Sequence, residues 1–299
     1  MEKLVAHFHL PGLFEFYDFY KMFLPIFYKN RQWFYEWCDI SSIYGAPADC
    51  IWGGGRVGFG YDRADDVISL MEEFGISARL TFSNSLLKEE HLSDKKCNHL
   101  CEMLGDRSGA NGVIVFSDLL VEYLKKNYPD LYLVSTTTKV ITDARDLLNE
   151  LNREDFKYVV PDFRFNNLIV FFQGLSSEQK DKIELLCNEC CSVGCRDRKT
   201  CYESVSKKAL GIEEDEHICT SPDASEGYVF SKAMKSPAFV GINEICNTFL
   251  PMGISNFKIE GRSLGSALLL EFILYYMTKP EYHLQVREKL YLDHSLDLF

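Results

Sequence analysis

Short apolar segments alternate with amphipathic segments along most of this chain. The short segments are rich in β-branched and aromatic residues, and Gly, Ser, Asp or Asn lies at or just after the end of each. Continuous apolar runs of this kind are typical of parallel β-strands that are covered on both faces. Eight segments share these properties: Leu4–Leu10, Ile40–Tyr44, Ala78–Ser83, Gly112–Phe116, Leu131–Ser135, Tyr158–Pro161, Ile183–Cys187 and Phe257–Glu260.

Amphipathic helices are predicted between these strands, among them Asp65–Phe74, Asp118–Asn127 and Asp143–Leu151. Dividing 299 residues among eight strands gives about 37 residues for each strand with its helix. Short connections of this type force neighbouring strands to be parallel. We therefore predict an α/β fold, a single (β/α)8 TIM-like barrel over residues 1–299. An open doubly wound sheet shows the same alternation and is the alternative.

One connection is twice as long as the others. About 70 residues separate the seventh predicted strand from the eighth, and six of the eleven cysteines fall within the 33 positions from 187 to 219. These six are Cys187, Cys190, Cys191, Cys195, Cys201 and Cys219. We predict that this segment, at about residues 187–235, is a cysteine-rich insertion on the loop after strand seven.

Composition indicates an ordinary soluble globular protein, with 46% hydrophobic and 25% charged residues. The net charge of −12 argues against a surface that binds nucleic acid through its phosphates. Residues Leu264–Met277 are apolar but include Glu271, and they are too short to cross a bilayer, so no membrane role is expected. The first 16 residues lack the pattern of a secretory signal, and we expect a cytoplasmic location where the cysteines are thiols or metal ligands.

Polar residues at the ends of the predicted strands indicate a binding pocket, because the active sites of parallel barrels lie at the carboxyl ends of the strands. Four of them are expected to bind a small polar or anionic substrate: Arg79, Asn84, Asp162 and Arg262. Three others are expected to orient it or to transfer protons as catalytic residues: Glu189, Lys258 and Glu260. A cation on a barrel strand needs a partner unless it faces the mouth, and we expect Glu189 or Glu260 to supply it.

The clustered cysteines predict a soft metal centre, because thiolates bind iron–sulfur clusters and zinc tightly. Structural zinc prefers paired C-x-x-C motifs, and among the clustered cysteines only Cys187 and Cys190 have that spacing. The irregular spacing of the others favours an iron–sulfur cluster, expected to be [4Fe-4S], with zinc as the alternative. The expected ligands are Cys191, Cys195, Cys201 and Cys219. Cys187 is expected to point into the core, so that Cys190 and Cys191 are alternatives for the first ligand.

Two segments of the sequence resemble a known family. The segment GISNFKIEGR, Gly253 to Arg262, resembles the end of the barrel in the collagenase-like (U32) peptidase family, and IELLCNECCSVGCRDR, from Ile183, is similar to its cysteine segment. The resemblance implies a TIM-like barrel that carries an iron–sulfur cluster. Family members are named peptidases, but several take part in oxygen-independent hydroxylation of RNA bases or quinone precursors, with prephenate as a proposed oxygen donor.

This chain differs from the family at the seventh strand. The family has a Glu, an aromatic residue and His-Gly before the first cysteine, whereas this chain has Leu185-Leu186 before Cys187. No Ser-His-Asp, Cys-His or His-Glu-x-x-His arrangement is visible in the sequence. We therefore predict an iron–sulfur enzyme with redox or oxygen-transfer, hydroxylation-type chemistry. The alternatives are a peptidase or other hydrolase with zinc at the cysteine loop, and a non-catalytic barrel with a structural metal.

Overall fold

Eight parallel strands form the centre of the computed structural model, which describes residues 4–54, 59–106, 109–212, 217–221, 224 and 227–292. The strands are β1 (Ala6–Pro11), β2 (Cys38–Gly45), β3 (Ser77–Phe82), β4 (Gly112–Val115), β5 (Tyr132–Ser135), β6 (Phe156–Val159), β7 (Glu184–Leu186) and β8 (Asn256–Lys258). Each of the eight predicted segments overlaps one of these strands, with its ends shifted by a few residues.

The sheet closes on itself. Its strands follow the order β6-β5-β4-β3-β2-β1-β8-β7, and a single parallel bridge between Val159 and Ile183 joins β6 to β7. An open doubly wound sheet would leave these two edges apart. The (β/α)8 barrel predicted from the sequence is therefore confirmed.

Helices follow most of the strands on the outside of the barrel. They are α1 (Tyr17–Lys29), α2 (Ala64–Glu73), α3 (Lys95–Gly105), α4 (Asp118–Asn127), α5 (Ala144–Leu151), α6 (Ile169–Gln173), α7 (Ser177–Lys182), α8 (Arg198–Ala209), α9 (Phe230–Ala233), α10 (Ile242–Glu244), α11 (Leu250–Met252), α12 (Ser266–Met277) and α13 (His283–Leu292). A π-helical turn, Ile245–Phe249, joins α10 to α11.

Local sequence explains where several of these helices begin and end. The Asp143 carboxylate accepts hydrogen bonds from the backbone N–H groups of Arg145 and Asp146, which caps α5. Gly75 adopts a φ of +65° just beyond α2, a conformation that glycine tolerates best. On α12, seven side chains are buried, and Glu271 on its surface binds Arg287, so this apolar segment packs against the barrel.

The long connection between β7 and β8 contains α8 to α11. Part of the predicted insertion, residues 213–216, 222, 223, 225 and 226, lies outside the described residues. Within the described parts of the chain, no helix is long and apolar enough to span a bilayer.

The inside of the barrel is layered. Alternate residues of a strand share one face, so Glu184 and Leu186 of β7 both point inward. The layer nearer the amino ends of the strands is polar and buried: His9, Ser42, Arg79, Glu184 and Asn256. An apolar cluster lies nearer the carboxyl ends: Tyr44, Ile114, Val134, Val160, Phe163, Leu186 and Ala238. This apolar cluster forms the floor of the barrel mouth.

Candidate functional site

A cavity of about 260 Å³ lies at the carboxyl ends of the strands, as expected for a parallel barrel. We call it the barrel cavity. Its lining is Tyr44, Thr81, Ser83, Ile114, Thr136, Thr137, Thr138, Leu186, Glu189, Cys190, Tyr202, Tyr228, Lys258, Glu260, Gly261, Arg262, Ser263 and Leu264. Hydroxyl groups from β3 and the loop after β5 thus face charged groups that follow β7 and β8.

Lys258 connects the barrel cavity to the polar layer below it. Its Nζ lies 3.0 Å from Glu184 Oε1 and 3.5 Å from the centre of the Tyr44 ring. Burial lowers the pKa of Lys258 to about 8, although Glu184 opposes this effect. The ammonium group is therefore charged at neutral pH but close to losing its proton.

Glu184 is the centre of the buried charge network. Arg79 Nη1 donates to Glu184 Oε2 over 2.5 Å, and Arg79 Nε donates to the Tyr132 hydroxyl over 2.7 Å. Burial lowers the pKa of His9 well below its usual value, so this imidazole is neutral although it lies 3.6 Å from Glu184. The partner of Arg79 and Lys258 is thus Glu184, and the expectation that Glu189 or Glu260 would fill this role is wrong.

Three residues expected to bind substrate lie away from the barrel cavity. Arg79 is fully buried beneath it. Asn84 is also fully buried, and its Nδ2 donates to the backbone oxygens of Ile51 and Ser206. Asp162 accepts two side-chain hydrogen bonds from Arg164. These groups are engaged in holding strands and loops together, which corrects the expectation that they face the mouth.

Arg262 does line the barrel cavity, as the sequence predicted. Its Nη1 lies 3.7 Å from Oε1 of Glu15, a carboxylate with no exposed side-chain surface. Burial raises the pKa of Glu15, and the charge of Arg262 opposes that rise. Glu15 lies in the space beside Gly45, where a Cβ atom would come within 2.6 Å of Glu15 Oε2. Glycine at this position therefore lets a counter-charge sit next to Arg262.

Glu189, Cys190 and Glu260 come together on one side of the barrel cavity, where one ligand atom from each lies within 4.8 Å of the others. Burial, helped by the two carboxylates, raises the pKa of Cys190 to about 12. The Cys190 thiol is therefore protonated at neutral pH. On another wall of the barrel cavity, the buried Thr81 hydroxyl has no hydrogen-bond partner among the described residues.

A second cavity, of about 150 Å³, lies beside the first. It is lined by Glu189, Cys191, Cys195, Asp197, Arg198, Cys201, Tyr202, His217, Cys219 and Thr220, and we call it the cysteine cavity. All four cysteines expected to bind metal thus face one space. Cys187 is fully buried in the core, and Cys190 faces the barrel cavity. Of the two alternatives for the first ligand, the structure therefore places Cys191 with the other three.

Two arginines hold the cysteine loop. Arg164 Nη1 donates to the backbone oxygen of Cys195 over 3.1 Å. Arg198 Nη2 donates to Glu189 Oε2 over 2.6 Å, and Glu189 Oε1 accepts from the backbone N–H of Cys191 over 3.0 Å. Burial raises the pKa of Cys191 to about 11, while the Arg198 guanidinium opposes this rise.

The distances between the four sulfur atoms can be compared with those that each metal centre requires. Zinc–sulfur bonds of about 2.3 Å in a tetrahedral site would bring all four sulfurs within about 4 Å of one another. Among the residues that the structure describes, no three of these sulfurs lie within 4.8 Å of each other. A multi-iron cluster holds its thiolates further apart, on separate iron atoms. Four cysteines that line one cavity are a donor set that could hold an iron–sulfur cluster, and their sulfurs are not gathered as closely as a zinc site requires.

The two cavities share a wall. Glu189 and Tyr202 line both of them, and Cys190 and Cys191 face opposite sides of it. Sequence reasoning missed Tyr202 and also Glu184. Glu184 could have been found, because it is the only charged residue in the predicted strand Ile183–Cys187, which is otherwise apolar.

No protein-family model and no curated protein matches this chain. Among solved structures, one described as a U32 peptidase is similar to it, with a TM-score of 0.52 and 14% sequence identity. The similarity covers 87% of this chain and 94% of the other. At this identity the comparison shows a shared barrel fold, in agreement with the resemblance seen in the cysteine loop and the last strand.

Proposed function

We propose that this protein is an iron–sulfur enzyme that carries out redox or oxygen-transfer chemistry on a small polar or anionic molecule in the barrel cavity. One observation carries the proposal. Cys191, Cys195, Cys201 and Cys219 line a single cavity that shares a wall with the barrel mouth. A cluster held there would exchange electrons with a substrate on the other side of that wall.

The residues of the barrel cavity suit a small polar substrate. Lys258 and Arg262 would bind its anionic groups, as charge-assisted hydrogen bonds are stronger than neutral ones. Glu189 and Glu260 would orient it or exchange protons with it. Cys190, which keeps its proton at neutral pH, offers a weak hydrogen-bond donor between these carboxylates. The similarity in fold to a U32 peptidase supports a place in that superfamily.

A hydrolase is less well supported. Among the residues that the structure describes, His9 comes closest to a hydrolytic triad, with Nδ1 2.7 Å from the Ser42 hydroxyl and Nε2 3.6 Å from Glu184. All three side chains are fully buried below the barrel cavity, so no peptide bond could reach the serine. The zinc alternative also requires the four sulfurs to move together.

Anaerobic purification with iron, zinc and acid-labile sulfide analysis tests the proposal. We expect a brown protein with about four irons and four sulfides per chain, as a [4Fe-4S] cluster requires. Cys195→Ser and Cys219→Ser should lose most of the iron. Cys246→Ser, outside the cysteine cavity, and Cys190→Ser, on the other side of the wall, should retain it. A colourless protein with one zinc, or full iron content in Cys195→Ser and Cys219→Ser, would contradict the proposal.

A further inference from the structure

Arg198 is a buried arginine in the wall of the cysteine cavity. It is the first residue of α8, only 4% exposed, and its guanidinium carbon lies 4.7 Å from the centre of the Phe163 ring and 5.2 Å from that of Tyr202. The charge of Glu189 keeps the pKa of Arg198 well above its usual value, against the effect of burial. A fixed positive charge therefore lies beside the four cysteines.

One donor of Arg198 is unused. Its Nη2 donates to Glu189, but its Nε has no hydrogen-bond partner within the described part of the chain. Asp162 Oδ2 lies 3.6 Å from Nε, beyond the range of a good hydrogen bond. Arg198 Nε is therefore paired by charge with Asp162 but makes no hydrogen bond to a described residue.

We propose that Arg198 is a positioning residue for the cluster, whose guanidinium group donates to a sulfur on the cluster side of the wall and raises the reduction potential of the cluster. This inference rests on the proposed function. Adding an electron makes a cluster more negative, and a nearby cation or an N–H donor to sulfur stabilises the more negative state. The unused donor, the buried charge and the position of Arg198 in the lining of the cysteine cavity all support this role.

Glu189 connects Arg198 to the barrel cavity. It accepts from Arg198 and from the backbone of Cys191, and it lines both cavities. Glu189 therefore links the wall of the barrel cavity to the Arg198 guanidinium.

Three variants test the role of Arg198 in the anaerobically purified protein: Arg198→Gln, Arg198→Lys and Arg196→Gln. The last removes the same charge two positions away, from an exposed residue outside the cavity lining. Iron and sulfide analysis establishes cluster content, and spectroelectrochemical titration gives the reduction potential. We expect Arg198→Gln to shift the potential to a more negative value, Arg198→Lys to give a smaller shift because it keeps the charge, and Arg196→Gln to match the wild type.

A cluster-loaded Arg198→Gln protein with the wild-type potential would overturn the inference. If Arg198→Gln loads too little cluster to titrate, Arg198→Lys decides the question, and a wild-type potential in that variant would also contradict the proposed hydrogen bond. A wild-type protein without iron and sulfide would instead contradict the proposed function.

Discussion

Replacement of Glu184 by glutamine tests the buried charge network most directly. Glu184 binds Arg79 Nη1 over 2.5 Å and Lys258 Nζ over 3.0 Å, and its side chain has no exposed surface. Glutamine has nearly the same shape but no charge, so Arg79 would remain buried without a counter-charge and the pKa of Lys258, which Glu184 raises, would fall further. Removing one member of a buried ion pair costs about 3–5 kcal/mol, and here one carboxylate serves two cations.

This free energy can be expressed as a change in melting temperature. An unfolding entropy of about 2.1 cal/mol/K per residue over 299 residues gives about 0.6 kcal/mol/K. The Glu184→Gln protein should therefore melt about 5–8 °C below the wild type, measured by calorimetry or circular dichroism. Glu154→Gln, at an exposed position, should change the free energy of unfolding by less than about 0.5 kcal/mol.

A double variant separates charge from packing. Glu184→Gln with Lys258→Met removes one anion and one cation, so the buried network keeps its net charge. We expect this protein to be more stable than Glu184→Gln alone. A Glu184→Gln protein within about 1 kcal/mol of the wild type would refute the reasoning, since a loss that small is typical of surface positions.

The effect of Glu184 should also depend on pH. Burial raises the pKa of Glu184, but the positive groups around it outweigh burial and place the pKa well below its usual value. A carboxylate whose pKa is lower in the folded state stabilises the protein above its unfolded pKa, about 4.3 for Glu. The stability that the Glu184 carboxylate gives the wild type should therefore be fully present above about pH 5 and should be lost as the pH falls towards the lowered pKa of the folded state.

Two further predictions concern the scaffold and the partners. Asn84→Ala should lower the free energy of unfolding by about 1–3 kcal/mol in chemical denaturation. The Asn84 side chain holds Ile51, Leu86 and Ser206 together through hydrogen bonds. An unchanged denaturation midpoint would show that these hydrogen bonds are dispensable. Transfer RNA should bind no tighter than the micromolar range at physiological salt, because the chain carries a net charge of −12; tighter binding in a filter assay would point to a nucleic-acid substrate.

The strands could be predicted because their signal is local. Each is a short run of apolar residues that ends at a turn-forming residue. A strand that is buried on both faces shows this pattern in its own sequence. The long cysteine-rich connection could also be predicted, because it breaks the regular spacing of the units. The position of the cysteines in one cavity depends on how α8 and the following loop pack, which the spacing of Cys195, Cys201 and Cys219 alone does not determine.

The partners of the charged residues could not be predicted, because they are set by the closure of the barrel. Arg79 and Glu184 are 105 positions apart and lie on β3 and β7. They meet because the closed sheet places both strands around one axis. Asn84 and Asp162 follow strand ends, as a ligand-binding residue would. Their side chains, however, form hydrogen bonds with neighbouring loops.

The sequence argument for an anionic substrate placed Arg79, Lys258 and Arg262 at the barrel mouth, and the structure gives a different reason for it. Arg262 has its own carboxylate, Glu15, at 3.7 Å. Arg79 and Lys258, however, share the single carboxylate of Glu184, and the neighbouring His9 is neutral. This group of four therefore has one positive charge in excess. Of its members only Lys258 lines the barrel cavity. The attraction for an anion is thus concentrated at the floor of the cavity, at Lys258.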